Sequence, residues 1–249
     1  LHLKDSLFPT EPPPKPADGG AAAMASSRAS TPGKRSHDFT VEATTTHIAS
    51  PDVHVNEDEQ NIVMYFHGLE AFAKQASRVA VSDNGIDFVA KPDILGRTYF
   101  RVFQRPDAVY AMAMPGQFYR SQDGYTGFEE GPRLFNPDMR HSALLQRGNM
   151  MHVFWTQVGH APESILLSSI DLSNDWTTWQ ETEPIVILRP EHSWEGADKP
   201  NEPSIRSTAY GHVNQLRDPA IFEEDGNVYL LYAVAGESGI GLAQVHLDS

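Results

Sequence analysis

A chain of 249 residues suffices for one large domain or two small ones, and with 40% hydrophobic and 10% aromatic residues it carries enough apolar material for a core. Its 19 Lys and Arg stand against 33 Asp and Glu, a formal net charge of −14 that repels a phosphate backbone, so nucleic acid is a poor candidate partner. There is no cysteine, hence no disulfide framework or thiolate metal site, and no apolar run approaches the ~18 residues of a membrane span, so no membrane partner is expected and the compartment stays open.

The chain opens on Leu1 rather than Met and lacks a basic-then-apolar secretory leader, which we read as a fragment or processed chain. Leu1, Leu3 and Leu7 suggest the remnant of a strand. From Glu11 to Thr46, prolines, glycines, alanines, Ser and Thr follow one another without an apolar period of 2 or 3.6, as in a flexible linker or long loop. Residues 1–46 are therefore set apart from a domain over 47–249.

That domain repeats. Its first unit runs from Ser50-Pro51-Asp52-Val53-His54 through Ile62 to Gly68 and closes on Asp83-Asn84-Gly85 with Phe88. The second starts near Tyr99-Phe100-Arg101, continues through Val109 to Gly116, and closes on Asp123-Gly124 with Phe128. The third starts near Arg140-His141 and passes through Met151 to Gly159, and the fourth is Arg217 to Ala243 after an insertion over 189–215. Three or four short strands per unit, joined by turns such as Gly148-Asn149 and Asp225-Gly226, suit propeller blades starting at about 50, 99, 140 and 216. The second strands, such as Tyr229 to Val234, are nearly continuous apolar runs, which predicts that both faces are covered. The expected fold is all-β: a five-bladed β-propeller with four recognisable blades and its first blade truncated.

In a propeller the first strands line the central channel, so their starts converge. Here those starts are Asp52, Tyr99 with Arg101, His141 with Arg140, and Asp218 with Arg217, a mostly polar set suited to a wet pocket. Taken singly, each Asp also fits a plain Asx turn at a strand start, and Arg217 a local ion pair. His54, His67 and His141 show no metal-type spacing, and no phosphate loop or nucleophile elbow is present, so neither metal nor cofactor is expected.

Ser50-Pro51-Asp52-Val53-His54, the Asp-Gly blade turns with their following aromatic, and above all Leu216-Arg217-Asp218-Pro219 with Phe222, Asp225-Gly226 and Tyr229-Leu230-Leu231-Tyr232 resemble the five-bladed propellers of family 43 glycoside hydrolases, whose propeller invertases and levansucrases share. The resemblance covers about Ile48 to Val245. It implies a glycosidic carbohydrate bound in the funnel and cleaved by carboxylate acid and base chemistry. It further implies that Asp52 tunes the acid and positions the sugar, that Asp218 joins the catalytic carboxylates, and that the base lies on a blade not present here. The blade that should present a glutamate acid offers Tyr99, Phe100 and Arg101 instead. Glu195 or Glu202 of the insertion is then a stand-in acid, or else part of a solvated loop. Substrate-binding candidates are His54, Tyr99, Arg101, His141, Trp194, Glu202 and Arg217. The alternative reading is a non-catalytic sugar-binding propeller that has lost its acid.

Overall fold

The computed structural model describes residues 1–30 and 38–247. They divide into two compact units, one of residues up to Arg133 and one from Leu134 onward. In the first unit, β1 (Ile48–Asn56), β2 (Asn61–Ala71), β3 (Lys74–Ser82) and β4 (Val89–Ala90) form one antiparallel sheet in chain order. A second sheet follows with β5 (Arg101–Gln104), β6 (Val109–Ala113), β7 (Gln117–Ser121) and β8 (Glu129–Arg133), again in chain order. The second unit holds β9 (Met139–Arg147), β10 (Met150–Gln157), β11 (Ile165–Asp171) and β12 (Ile185–Leu188) in one sheet, and β13 (Arg217–Glu224), β14 (Asn227–Val234) and β15 (Gly239–Val245) in another. Four blade-like sheets are thus present among the described residues, as the repeat predicts; the fifth blade of the expected fold is not among them.

The hairpins follow from backbone chemistry. Asp225 and Gly226 lie between the paired Glu224 and Asn227 with φ of 51° and 77°, the double left-handed turn whose twist matches the strands it joins. At Gly148-Asn149, between the paired Arg147 and Met150, only Gly148 is left-handed, with φ of 57°. The turns after the third strands of the first two sheets share one hydrogen-bonding scheme. Ser82 Oγ accepts from Asn84 N and Gly85 N while Asn84 Oδ1 accepts from Ile86 N and Asp87 N. Ser121 Oγ accepts from Asp123 N and Gly124 N while Asp123 Oδ1 accepts from Tyr125 N and Thr126 N.

Middle strands carry the core. In β10, Met151, Val153, Phe154 and Trp155 are all buried, so both faces are covered as expected. β14 departs from that expectation. Val228, Leu230, Tyr232 and Val234 are buried against Leu145, Phe154, Ile165 and Leu216, but Tyr229, Leu231 and Ala233 on its other face are only half-buried. That flank continues into exposed Phe222, Ile240 and Leu242. In the first unit, β1 likewise leaves Val53 and Val55 exposed.

The residues before the blades are more ordered than their composition suggests. Leu1 to Phe8 is no strand: Leu3–Asp5 forms a 3-10 turn closed by Ser6, whose N–H and Oγ both donate to the Leu3 carbonyl, and Phe8 is buried edge-on against Phe66. Local capping outcompetes the apolar alternation there. Within the stretch read as a linker, α1 (Ala21–Ser30) is alanine-rich and its first turn is held by Asp18, which accepts from Gly20 N and Ala22 N. The short α2 (Phe39–Thr44) is capped by Asp38 through Thr40 N. Residues 31–37 of that stretch lie outside the described residues. No described helix is long and apolar enough to cross a membrane.

Asp123 offers a direct test of the blade turns. Partial burial raises its pKa, but hydrogen bonds from Thr126 N and Oγ1, Tyr125 N and Ser121 Oγ outweigh it and hold the carboxyl down at about 2. A depressed folded pKa adds stability above the ordinary carboxylate range, lost as pH falls through about 2. Asp123→Ala is expected to cost on the order of 1 to 2 kcal/mol in denaturant unfolding near neutral pH. Asp123→Asn should retain most of that stability, because Asn84 closes the equivalent turn, and its lead over Asp123→Ala should not change with pH, whereas the parent should lose its own lead over Asp123→Ala as pH falls toward 2.

Candidate functional site

Each inner strand enters its sheet with one residue too many. In β1, Ala49 pairs with His67 and Asp52 with Tyr65, so three steps on β1 face two on β2. In β9, Arg140 pairs with Thr156 and Ser142 with Trp155; in β13, Arg217 pairs with Ala233 and Ala220 with Leu231. Just before β5, Met114 N donates to Thr98 O while Arg101 pairs with Met112. The extra residue is left-handed every time and never glycine: Ser50 at φ 53°, Tyr99 at 56°, His141 at 47° and Asp218 at 46°. Such a conformation costs on the order of 1 to 3 kcal/mol at a non-glycine residue. A bulge of this kind re-aims one side chain, and here it defines one equivalent position in every blade.

This register corrects the sequence alignment of the starts. Asp218 is equivalent to Ser50, Tyr99 and His141, whereas Asp52 lies two residues past the bulge of β1, equivalent to Arg101. Among the four bulge residues only Asp218 is a carboxylate.

In the second unit two bulge residues meet: His141 Nε2 lies 3.6 Å from Asp218 Oδ1. Thr156 Oγ1 is 3.4 Å from His141 Nδ1, so both ring nitrogens are engaged and the ring is held in place. Beneath them runs a buried charge network. Glu163, fully buried, accepts from Arg140 Nε at 2.8 Å and from Arg140 Nη2, and lies 3.6 Å from Arg217 Nε. Arg217, also fully buried, gives Nε and Nη2 to Gln215 Oε1 and Nη1 to Glu237 Oε1 and the Ser207 carbonyl. Burial raises the pKa of Asp218 to about 6, reinforced by Glu237 and opposed by Arg217 and Arg140, with Glu163 adding a smaller upward push. The Asp218 side chain nevertheless keeps 41% of its surface exposed. Its crowding is one-sided: protein packs beneath the carboxyl and its outer edge meets solvent.

In the first unit the bulges are joined differently. Asp52 Oδ2 accepts from Val102 N at 2.8 Å and pairs with His54 Nε2 at 2.8 Å, clasping β1 to β5. Arg101 Nη1 donates to the carbonyls of Ser50, Pro51 and Phe100, and its guanidinium lies 5.9 Å from the Tyr99 ring centre. The Tyr99 ring lies against His67 with centroids 5.0 Å apart. Burial, then His47 and Arg101, push the His67 pKa down to about 3, so this imidazole is neutral.

The insertion separates its candidates. Trp194 is 54% exposed and stacks on His192, an open aromatic face. Glu195 is buried: Oε2 accepts from Glu191 N and His192 N, and Oε1 accepts from Tyr232 Oη, whose pKa burial and this carboxylate push up to about 12. Glu195 therefore pins the insertion to β14, which corrects the expectation of a stand-in acid. Gly196 must follow it, since with φ of 91° its backbone lies against the Val213 carbonyl, 2.1 Å from where a Cβ would sit. Glu202 is exposed and lines a cavity together with Arg217.

Sequence reasoning missed Glu163, Gln215 and Glu237 as partners of the site. Glu163 sits in a loop between β10 and β11, and no local pattern marks it as the counter-ion of two arginines. Glu237 stands in the turn between β14 and β15, and no local pattern marks it as a partner of Arg217. Among the described residues no group of three or more His, Asp and Glu is placed to hold a metal ion.

No protein-family model matches the chain. Among solved structures it resembles a thermostable family-43 glycoside hydrolase at TM-score 0.56, with 14% identity over 80% of this chain and 69% of the other. It resembles the Cellvibrio cellulosa alpha-L-arabinanase in complex with arabinohexaose at 0.54, with 12% identity over 86% and 79%. A member of the GH130 family, which holds mannoside phosphorylases and glycoside hydrolases targeting beta-1,2 mannosidic linkages, is similar at 0.58, with 13% identity over 79% and 64%. The chain has the all-β propeller fold of these glycoside hydrolases. In sequence it is 35% identical over 224 residues to the uncharacterized protein R118 of Acanthamoeba polyphaga mimivirus, covering 82% of this chain and 63% of that protein.

Two measurements test this electrostatic picture. A carboxyl whose folded pKa lies above its unfolded value loses stability as pH rises from about 4 through about 6. Asp218→Asn should remove that fall, so its melting temperature should exceed that of the parent at pH 7 to 8 and match it near pH 4. Glu163→Gln leaves two buried arginines without their shared counter-charge and is expected to cost about 3 to 5 kcal/mol in denaturant unfolding.

Proposed function

We propose that this chain belongs to a glycoside hydrolase-like propeller that takes glycosidic carbohydrate at its inner-strand starts, with Asp218 as the proton-donating carboxyl. One observation carries this reading: the only carboxylate at the four bulge positions is also the one whose surroundings raise its pKa to about 6, next to an oriented imidazole. A glycosidic oxygen needs a proton as its bond breaks, and a carboxyl poised near the working pH supplies it best. His141 holds Asp218 in place, and the Arg140–Glu163–Arg217 network fixes the backbone beneath both. In the second unit Trp194 and Glu202 of the insertion are assigned to sugar recognition; in the first unit, taken by itself, Asp52, His54, Tyr99 and Arg101 form a polar and aromatic set of the same kind. Rings there offer apolar faces to sugar carbons and charged groups bind hydroxyls. The carbohydrate ligands named for the similar structures, arabinohexaose among them, support the ligand class.

The second carboxylate that hydrolysis requires is assigned to a fifth blade. Support comes from the open apolar flank of Phe222 with Ile240 and Leu242 in the second unit, which suits the face of a further sheet. The chain spans 63% of the curated relative it matches. A second reading, a sugar-binding propeller without turnover, is favoured by Tyr99 in a bulge position and by Asp52 being committed to Val102 N and His54.

A screen of the full-length protein against aryl arabinosides, xylosides, galactosides, fructosides and mannosides separates the two. The enzyme reading expects turnover that declines above pH 6 as Asp218 ionises and that drops at least ~100-fold in Asp218→Asn. Sugar binding without turnover on any substrate leaves only the binding module, and the absence of both overturns the carbohydrate reading.

A further inference from the structure

The residue before a bulge has a fixed partner on the middle strand of its sheet. Ala49 faces His67, Arg140 faces Thr156, and Arg217 faces Ala233. Two of these partners are polar, and each reaches a bulge residue. Thr156 Oγ1 meets His141 Nδ1 of its own sheet at 3.4 Å. His67 meets Tyr99 of the following sheet in the same unit: Tyr99 N donates to His67 Nδ1 at 3.5 Å, and the two rings lie with centroids 5.0 Å apart at a tilt of 35°.

The chain is shaped for this contact. His67 is 4% exposed and pairs with β1 through Ala49 and with β3 through Ser77, so its backbone is fixed from both sides. Gly68 follows it, and a Cβ there would stand 2.6 Å from the His47 carbonyl. The missing side chain lets residue 47 come against the end of β2, where the His47 ring meets the His67 ring edge-on at 5.9 Å. Tyr99 holds a φ of 56°, a conformation that persists only where its surroundings over-determine it. Thr98 and Arg101 are tied to β6 on either side, and His67 adds a hold on the Tyr99 N–H and ring themselves.

A ring nitrogen accepts an N–H only while it carries no proton, so this contact requires a neutral imidazole protonated on Nε2. The groups around the ring keep it so. His47, from the segment before β1, and Arg101, at the start of β5, are both cationic when charged; Tyr99 presents its ring; Ala49 and Ser77 on the paired strands carry no charge. Burial acts first and these cations second, holding the imidazole down to about 3. A proton on Nδ1 would set two donors against each other and add a cation beside Arg101.

We propose that His67 is the positioning residue for Tyr99 and, through it, Arg101: the neutral ring holds this aromatic and cationic pair in place, and protonation of the ring releases it. Arg101 is included because it follows the bulge by two residues and its guanidinium lies 5.9 Å from the Tyr99 ring centre. That the pair forms a sugar-binding surface rests on the carbohydrate reading, whereas the hold of His67 on Tyr99 does not.

The test is NMR on the full-length protein without ligand. In the parent near neutral pH, the His67 ring nitrogens should report the Nε2–H tautomer. The Tyr99 amide signal should keep its position in His67→Gln, which retains an acceptor, and move in His67→Leu, which has none. Below about pH 6.5 the unfolded chain takes up a proton that folded His67 refuses down to about 3, so stability is lost as pH falls through that window. There the folded-to-unfolded ratio of the parent should fall about tenfold per pH unit relative to His67→Gln, which does not titrate. A His67 that titrates near 6.5 or carries its proton on Nδ1 overturns the role in the parent alone, even if no variant folds. So does an equal Tyr99 signal in the parent and His67→Leu. Addition of arabinose, xylose, galactose or mannose should then move the Tyr99 and Arg101 signals in the parent and not in His67→Leu. If no sugar moves them, the carbohydrate reading of this pair falls and the hold of His67 stands on the ligand-free signals.

Discussion

One extra residue at the entry to each inner strand is the constraint on which this molecule's chemistry turns. A strand alternates its side chains between two faces, and a single inserted residue shifts which face every later side chain occupies. Ser50, Tyr99, His141 and Asp218 absorb that insertion in the left-handed region, although none is glycine. Four repeats of a costly conformation at one position mean that the surrounding sheet dictates it. The apolar middle strands can then stay in register with the core while one polar residue per blade is turned out of the ladder.

Glu163 links this backbone device to electrostatics. A carboxylate buried between Arg140 and Arg217 is expensive to desolvate and is sustained by two hydrogen bonds from Arg140 and by the charge of Arg217, whose Nε lies 3.6 Å away. It joins the loop before β11 to the starts of β9 and β13, and Leu216 N donates to its own carbonyl at 2.9 Å. The bulges carrying His141 and Asp218 are thereby fixed to each other. The same network sets the balance of charge around Asp218: two arginines favour its ionised form, Glu237 and Glu163 oppose it, and one-sided burial decides the outcome upward.

The insertion shows how a polar loop becomes structure. Glu195 spends its whole carboxylate on two backbone N–H groups and the Tyr232 hydroxyl, and Gly196 lets the chain pass against Val213. With one end pinned to β14 in this way, the rest of the loop is held over the start of β13, where it walls a cavity. A carboxylate that reads as available for chemistry in the sequence is thus consumed in positioning the residues around that cavity.

The blade repeat was legible because its signals are local. Apolar runs of strand length and Asp-Gly and Gly-Asn turns each act over a few residues, and the four sheets follow them in chain order. The polar character of the inner-strand starts was legible for the same reason. The ranking among them was not. Asp52 and Asp218 look alike beside their prolines or valines, and only the pairing with β2 and β14 shows that one lies past the bulge and the other on it. The helical turns before Ile48 were hidden by composition, because capping by Asp18, Asp38 and Ser6 depends on backbone geometry rather than on apolar period. Sequence by itself determined the strands, the turns and the class of side chain offered at each blade entrance. Tertiary structure alone decided which carboxylate occupies a bulge position against a histidine and which is spent on a cap. Burial, register and the distance to a counter-charge arise only when residues remote in the chain, such as Glu163 and Arg217, are brought into contact.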